Sequence, residues 1–514
     1  MTTPQQSLYN YEQLQQIFIE DYGDVFSNDL APKCVVVVPS LTLDHQILSK
    51  IKGHFYYEER MLCMLLLLKM PETHLTFVTS IPITPLIIDY YLHMLPGITT
   101  HHARKRLTLL SCYDASNVAL TNKILQRPRL ISRIKRSIPA SMPAHLICFN
   151  VTEQEKKLAL KLQIPIYGCH PDLNHLGTKS GARKLFKACD IPTPAGYEDL
   201  HTESDIAQAL INLKQANPDL QKAVIKMNDG FSGDGNAVFS YDGFDQMMLI
   251  DDQEIREYLK SHTKIVANKL KFEKFLLKFE SMGGIVEEFV TADHLTSPSV
   301  QCRINPLGEI YIISTHDQML GGESGHVFLG ANFPADKSYA SEVAFLTQKL
   351  AIKMRDLGVL GRFGVDFMSI KNEHGWQHLA IEINLRKGGT THPFLMLQFL
   401  TDGHYDASTG SYLLSDGSER FYFATDNLQN DNYKGLTPGD LIDIAMYHGI
   451  HYDHYRGEGV MFHLISALSQ FGKLGLVCIG KTPEKAMDYY NDVVSVLDQE
   501  TTNEDDGTSE ISVS

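Results

Sequence analysis

The chain has 514 residues, 43% of them hydrophobic and 21% charged, an ordinary balance for a folded protein that buries large cores without disulfide or metal staples. Its formal net charge of -15 argues against a general binder of nucleic acid or membrane surface, while leaving room for a local basic pocket around a phosphate ligand. At roughly 100–200 residues per domain, the length points to about three domains.

The first residues, MTTPQQSLYNYEQ, lack the basic region and apolar core of a signal peptide. The longest strongly apolar stretch, Met61–Met70, is too short to span a bilayer as a helix. Cys34, Cys63, Cys112, Cys148, Cys169, Cys189, Cys302 and Cys478 are scattered, with no CxxC pair. That spacing excludes a zinc ribbon and a thioredoxin-type motif. Several of these thiols sit in apolar runs, where free cysteine behaves as a small hydrophobe, as in a reducing compartment. The expectation is a cytoplasmic protein that binds neither nucleic acid nor membrane.

From Cys34 to Gly168 short apolar runs alternate with helix-like segments such as Tyr56–Met70. The runs are CVVVVP (Cys34–Pro39), HLTFVTS (His74–Ser80), RLTLLS (Arg106–Ser111) and HLICFN (His145–Asn150). Continuous apolar runs read as buried parallel strands crossed by helices. Residues 1–170 are therefore expected to form a Rossmann-like α/β domain. No GxGxxG follows its first strand, so no dinucleotide is assigned to it.

Residues 171–402 change character: helices mix with alternating strands at Ala223–Lys226, Gly284–Val290, Ile310–Thr315, Gly364–Ile370 and His378–Asn384, the pattern of an α+β region with antiparallel sheets. Residues 403–437 are polar and read as a linker or long loop. Residues 438–498 are expected to form a small α/β domain, with a helix around Met461–Phe471, a strand at Leu474–Ile479 and a helix from Pro483 to Leu497. The acidic tail 499–514 reads as disordered.

Four segments of the middle region carry chemistry. In Leu176–Pro194, LGTKSGARKLFKACDIPTP, a basic helix opens with Lys179 and stops at Asp-Ile-Pro-x-Pro; a solvated helix face is the plainer alternative. In Ala223–Ala237, AVIKMNDGFSGDGNA, a short strand delivers Lys226 to a loop holding Gly230, Gly233 and Gly235. Glycines let backbone N–H groups approach phosphates, and lysine adds a point charge. The same loop also satisfies the rules for a simple hairpin turn. The strand GGIVEEFV, Gly283–Val290, ends in two acids and an aromatic. It could present backbone donors and acceptors to adenine, or be an ordinary edge strand.

The fourth segment is HLAIEINLR, His378–Arg386. In a strand Glu382, Asn384 and Arg386 share one face. The preceding run FGVDFMSI, Phe363–Ile370, contains one acid, Asp366. A turn over Lys371–Gly375 would fold the two into a hairpin and bring Asp366 near Glu382. Mg²⁺ usually takes one or two carboxylates plus substrate phosphates. A half-exposed hairpin with ordinary surface charges is the alternative. The stretch His448–His463 is rich in histidine, yet Gly449, Gly457 and Gly459 interrupt any helix that would align His451 with His454. It is read as structural or solvent-exposed rather than as a metal site.

These segments, in this order, resemble the ATP-grasp superfamily. The resemblance implies that Lys179 and Lys226 hold ATP phosphates, with Gly230, Phe231, Ser232, Gly233, Asp234, Gly235 and Asn236 forming a lid. It implies that Glu287, Glu288, Phe289 and Val290 hold adenine. Asp366, Glu382 and Asn384 would bind Mg²⁺, with Mn²⁺ an allowed substitute, and Arg386 would touch the transferring phosphoryl. Asp293 and His294 are the two candidates for the ribose. Further segments are similar to the pheganomycin-type peptide ligases: SPSVQ (Ser297–Gln301), STHDQMLGG (Ser314–Gly322), FPA (Phe333–Ala335) and Gly457–Ile479.

The implied architecture is an α/β and α+β chain: a Rossmann-like pre-ATP-grasp domain, a two-lobed ATP-grasp core and a small α/β C-terminal domain. The implied activity joins a small-molecule carboxylate to an amine, an amino acid or peptide, through an acylphosphate. Arg303, Arg362 and Thr315–Gln318 are candidates for the acceptor pocket, and a homodimer is compatible with the resemblance. Two competing readings are an ATP-grasp phosphotransferase and a non-catalytic ATP-binding regulatory protein.

Overall fold

The computed structural model describes residues 9–43, 48–230, 235–242, 252–266, 270–321 and 327–502. Its first sheet is formed by β1 (Lys33–Val38), β2 (Thr73–Thr79), β3 (Leu107–Ser111) and β4 (Ala144–Cys148), in the order β3-β2-β1-β4. All three pairings are parallel. Every residue of β1 is buried, because helices cover both faces of a parallel sheet. The helical segment His54–Lys69 follows β1 and is buried along most of its length.

A second, antiparallel sheet follows: β5 (Gly196–Leu200), β6 (Lys222–Met227), β7 (Asn236–Ser240), β8 (Thr263–Ile265) and β9 (Gly284–Glu288), ordered β5-β9-β6-β7-β8. β9, for which an edge strand was the plainer alternative, lies between β5 and β6. Gly284 is needed there, since a Cβ would stand 2.3 Å from both the Lys226 carbonyl and the Phe279 ring.

The third sheet is the largest. It contains β10 (Leu295–Thr296), β11 (Pro298–Ile304), β12 (Ile310–Gly321), β13 (Val327–Phe333), β14 (Gly361–Asn372) and β15 (Gly375–Asn384). After the small hairpin β16 (His404–Asp406) and β17 (Ser411–Leu413), it is completed by β18 (Phe421–Gln429), β19 (Gly459–His463) and β20 (Lys473–Gly480). β14 and β15 form the expected hairpin.

Two expectations are corrected here. Residues 403–437, read as a linker, carry three strands, and β18 pairs with both β13 and β20. Its polar residues misled the composition argument, although Tyr422, Phe423 and Ala424 are buried. The helix expected around Met461–Phe471 is β19 followed by a short helix, Leu468–Phe471. β19 and β20 also extend the same sheet, and one apolar cluster joins Val460 and Ile479 to Val35, Leu62 and Phe394. The C-terminal segment therefore packs against the body of the chain. The last helix, Pro483–Thr502, takes in the first residues of the expected tail; the remainder of the tail lies outside the described residues.

Candidate active site

The two lysines reach one place because Asn228, just after β6, ties their elements together. The Lys179 N–H donates to the Asn228 carbonyl at 3.2 Å, and the Ser180 N–H donates to Asn228 Oδ1 at 2.9 Å. Helix Lys179–Ala188 begins where the sequence places it, capped by Thr178, whose Oγ1 accepts from the Gly181 N–H at 3.1 Å. Lys226 is opposite Asn236 across the β6–β7 pair. Lys226 ion-pairs with Glu287, and Arg183 Nη1 donates to the other oxygen of that carboxylate at 2.9 Å. Arg183 belongs to the stretch whose plainer reading was a solvated face, yet it is 2% exposed.

The acids come from the hairpin. Asp366 and Glu382 are directly in register, as are Gly364 and Asn384. Asn384 Nδ2 donates to Asp366 Oδ2 at 2.9 Å and Gln318 Nε2 donates to Asp366 Oδ1 at 2.8 Å. Glu382 ion-pairs with Lys179. Burial and the neighbouring Glu382 charge push the Asp366 carboxyl up to about 6. Burial also pushes Glu382 upward, but Lys179, Arg386 and Lys226 outweigh it and hold that carboxyl below its ordinary value. Burial lowers the Arg386 guanidinium against the opposing pull of Glu382 and Asp366.

The two lysines, Gln318 and the polar side chains of the hairpin open on one cleft of about 360 Å³. Its walls include Lys179, Lys226, Gly230, Gly235, Asn236, Asp366, Glu382, Asn384 and Arg386, all singled out from sequence. Phe231, Ser232, Gly233 and Asp234 of the expected lid lie outside the described residues, as does Gly322. The donor set fits a divalent cation. Two carboxylates face each other within a buried cleft, and a dication between them relieves the repulsion that raises Asp366. With Asn384 Nδ2 given to Asp366, its Oδ1 is the atom left for a metal.

Other candidates fall elsewhere. Glu287 approaches the cleft only through its pair with Lys226. Glu288, Phe289 and Val290 do not line it; the N–H groups of Glu288 and Phe289 donate to the Ala195 and Lys222 carbonyls at 2.8 and 3.1 Å. Asp293 and His294 line a separate hollow with Lys371 and Trp376, so the ribose assignment to His294 is not supported by position. Arg303 and Arg362 are opposite each other on β11 and β14. They lie one strand step beyond Gln301 and Gly364 and outside the cleft wall, which corrects their placement in an acceptor pocket. Of Thr315–Gln318, only Gln318 reaches the cleft; Thr315 Oγ1 is 2.6 Å from the Tyr405 hydroxyl.

Sequence reasoning missed a further part of the lining, made by Tyr57, Arg60, Phe149, Asp426 and Asn427. These residues come from both ends of the chain and carry no motif. It also missed that His463, at the end of the histidine-rich stretch, is buried against His392 and Asp426, with Asp426 Oδ1 3.2 Å from His392 Nε2 and 2.6 Å from His463 Nε2.

Residues 171–243 and 244–408 match the family described as "IQCH-like, ATP-grasp", and residues 440–493 match the PGM1 C-terminal domain family. The middle of the chain, residues 171–408, thus matches an ATP-grasp family. It is 26% identical over 464 residues to the L-propargylglycine–L-glutamate ligase of Streptantibioticus cattleyicolor, covering 88% of this chain and 92% of the relative. It is 21% identical over 519 residues to IQ motif-containing protein H of Danio rerio, with 91% of this chain covered but only 49% of that relative. Among solved structures, biotin carboxylase from Campylobacter jejuni, bound to an ATP ligand, superposes with a TM-score of 0.55 at 12% identity. That likeness covers 92% of this chain and 95% of the other, and it shows a shared fold. Among the described residues no helix is long and apolar enough to cross a membrane.

Proposed function

We propose that the chain is an ATP-dependent carboxylate–amine ligase that works through an acylphosphate, releasing ADP and phosphate. One observation carries the proposal: two lysines from the second sheet and its helix meet the Asp366, Glu382, Asn384 and Arg386 set of the third sheet in a single cleft. The relative from Streptantibioticus cattleyicolor, which by its name joins two amino acids, supports amino acids or short peptides as the substrate class.

Catalysis in such a site is mainly positioning and charge stabilisation. Lys179 and Lys226 hold ATP phosphate oxygens, and Glu287 with Arg183 fixes the Lys226 ammonium in direction. Asp366, Glu382 and Asn384 would hold Mg²⁺, or Mn²⁺ in its place. Bound there, the ion would supply charge neutralisation for the transferring phosphate. The substrate carboxylate attacks the γ-phosphorus, the bond to the bridging oxygen breaks, and ADP leaves. Arg386 stabilises the transferring phosphoryl and then the acylphosphate. The amine nitrogen next attacks the acyl carbon, and phosphate departs. The loop around Gly230 and Gly235 shields the acylphosphate from water.

The test is an ADP-release screen of paired amino acids, peptides and small acids, with mass spectrometry of the products. A condensed amide appearing with ADP supports the ligase. A new phosphoester with no amide identifies a phosphotransferase instead, and tight ATP binding without turnover identifies a regulatory binder.

A further inference from the structure

The end of the cleft beneath the helical segment His54–Lys69 has no role in that scheme, yet it is built with care around one cation. Arg60 lies there with its guanidinium over two aromatic rings, 4.7 Å from the Tyr57 centroid and 5.0 Å from that of Phe149. Its Nη1 donates to Asp426 Oδ2 at 3.2 Å. Asp426 is itself gripped by His392 and His463. The residue is 7% exposed, and its Nε finds no hydrogen-bond partner among the described residues.

An unpaired guanidinium N–H inside a protein is unfavourable unless something else meets it. The guanidinium is a planar fork of which Nη1 is spent on Asp426; the geometry that suits its remaining donors is a carboxylate. Charge points the same way. Behind Tyr57 and Asn427, Lys473 Nζ donates to the Tyr57 hydroxyl at 2.8 Å and to Asn427 Oδ1 at 3.0 Å. It ion-pairs with no acid among the described residues. Two cations, Arg60 and Lys473, therefore stand at this end against one carboxylate, Asp426.

We propose that Arg60 binds a carboxylate that the amine-bearing substrate keeps through the reaction, so that this substrate is an amino acid or a peptide with a free carboxyl end. The inference rests on the ligase reading above and specifies one of its two substrates. The reacting carboxylate of the other substrate belongs at Arg386, beside the acids. A second carboxylate at Arg60, which lines the same cleft, would hold the amine-bearing substrate with its nitrogen free to reach the acyl carbon. The nitrogen then forms its bond to the acyl carbon, the carbon–oxygen bond to phosphate breaks, and the nitrogen's proton leaves with the phosphate. The carboxylate on Arg60 is unchanged.

The experiment uses the full chain with Mg-ATP, a donor acid found in the ADP-release screen, and a panel of L-amino acids beside their α-carboxamides as acceptors. The wild type should favour the free acids by about 10–100-fold in kcat/KM, the range of a charged hydrogen bond. In Arg60→Gln that preference should collapse with the ATP KM unchanged, and Arg60→Lys should restore part of it. The carboxamide arm needs no variant, so instability of Arg60→Gln would not obscure the answer. Equal use of acids and carboxamides by the wild type overturns the role of Arg60 while leaving the ligase standing, as does a preference that survives in Arg60→Gln. ADP released with no amide from any acceptor rejects the ligase reading, and the Arg60 assignment with it.

Discussion

Asp366 and Glu382 stand in register on adjacent strands, two acids brought together by a hairpin whose turn is only Glu373 and His374. Like charges held this close in a buried cleft are unfavourable alone, and they become useful when a dication lies between them. Glu382→Gln and Asn384→Ala should each remove at least about 100-fold of the turnover, a typical loss when a group acting on transition-state charge is deleted. Circular dichroism beside ADP release checks this, and full activity in either folded variant would reject the metal assignment.

Arg386 sits past the end of β15, on the same wall as the acids. Its charge matters most once the phosphoryl group is in transit. Arg386→Ala should lower kcat by more than it raises the ATP KM, the signature of a contact made in the transition state. Steady-state kinetics at saturating acceptor decide it; a raised KM with kcat intact would assign Arg386 to ground-state binding instead.

Glu287 serves two cations at once, Lys226 and the buried Arg183. Glu287→Gln leaves the buried Arg183 with Glu198, 3.4 Å from its Nε, as its remaining carboxylate, a loss of up to about 3 kcal/mol of stability. It also releases Lys226 from its direction, so the ATP KM should rise more than kcat falls. Denaturant melts and ATP titrations report the two effects separately, and an unchanged ATP KM would show that the pair is structural alone.

The N-terminal segment carries its own pH signature. Glu59 accepts the Ser466 N–H at 3.2 Å, and burial pushes its carboxyl up to about 7 despite the hydrogen bonds from Ser466 and Ile465. A raised folded value means that this residue's contribution to stability is full below the ordinary glutamate range and is lost as pH climbs through about 7. Relative to wild type, Glu59→Gln should therefore gain stability between about pH 5 and about pH 8, by on the order of 2–3 kcal/mol. Thermal melts across that range test it, and a constant difference between the two proteins would refute it.

Much of the site was legible in sequence because its chemistry is local. A period of two put Glu382, Asn384 and Arg386 on one face, and a short polar turn implied the partner strand with Asp366. The Asp-Ile-Pro-x-Pro stop located helix Lys179–Ala188, and the apolar runs located the parallel sheet. What stayed hidden depends on distant pairing. Nothing near Arg60 announces that it meets Asp426, 366 positions away. The polar composition of 403–437 hides β18, whose inward residues show their meaning only against β13 and β20. Arg303 and Arg362 looked like anion ligands by type, but their register places them beyond the cleft wall.

The most direct test of the central claim is to follow oxygen. The acid substrate is prepared with ¹⁸O in its carboxylate and turned over with Mg-ATP and the amine. Attack of that carboxylate on the γ-phosphorus, followed by departure of phosphate from the acyl carbon, predicts one labelled oxygen in every phosphate released. Phosphate carrying no label, alongside amide formation, would contradict the acylphosphate and the roles built on it.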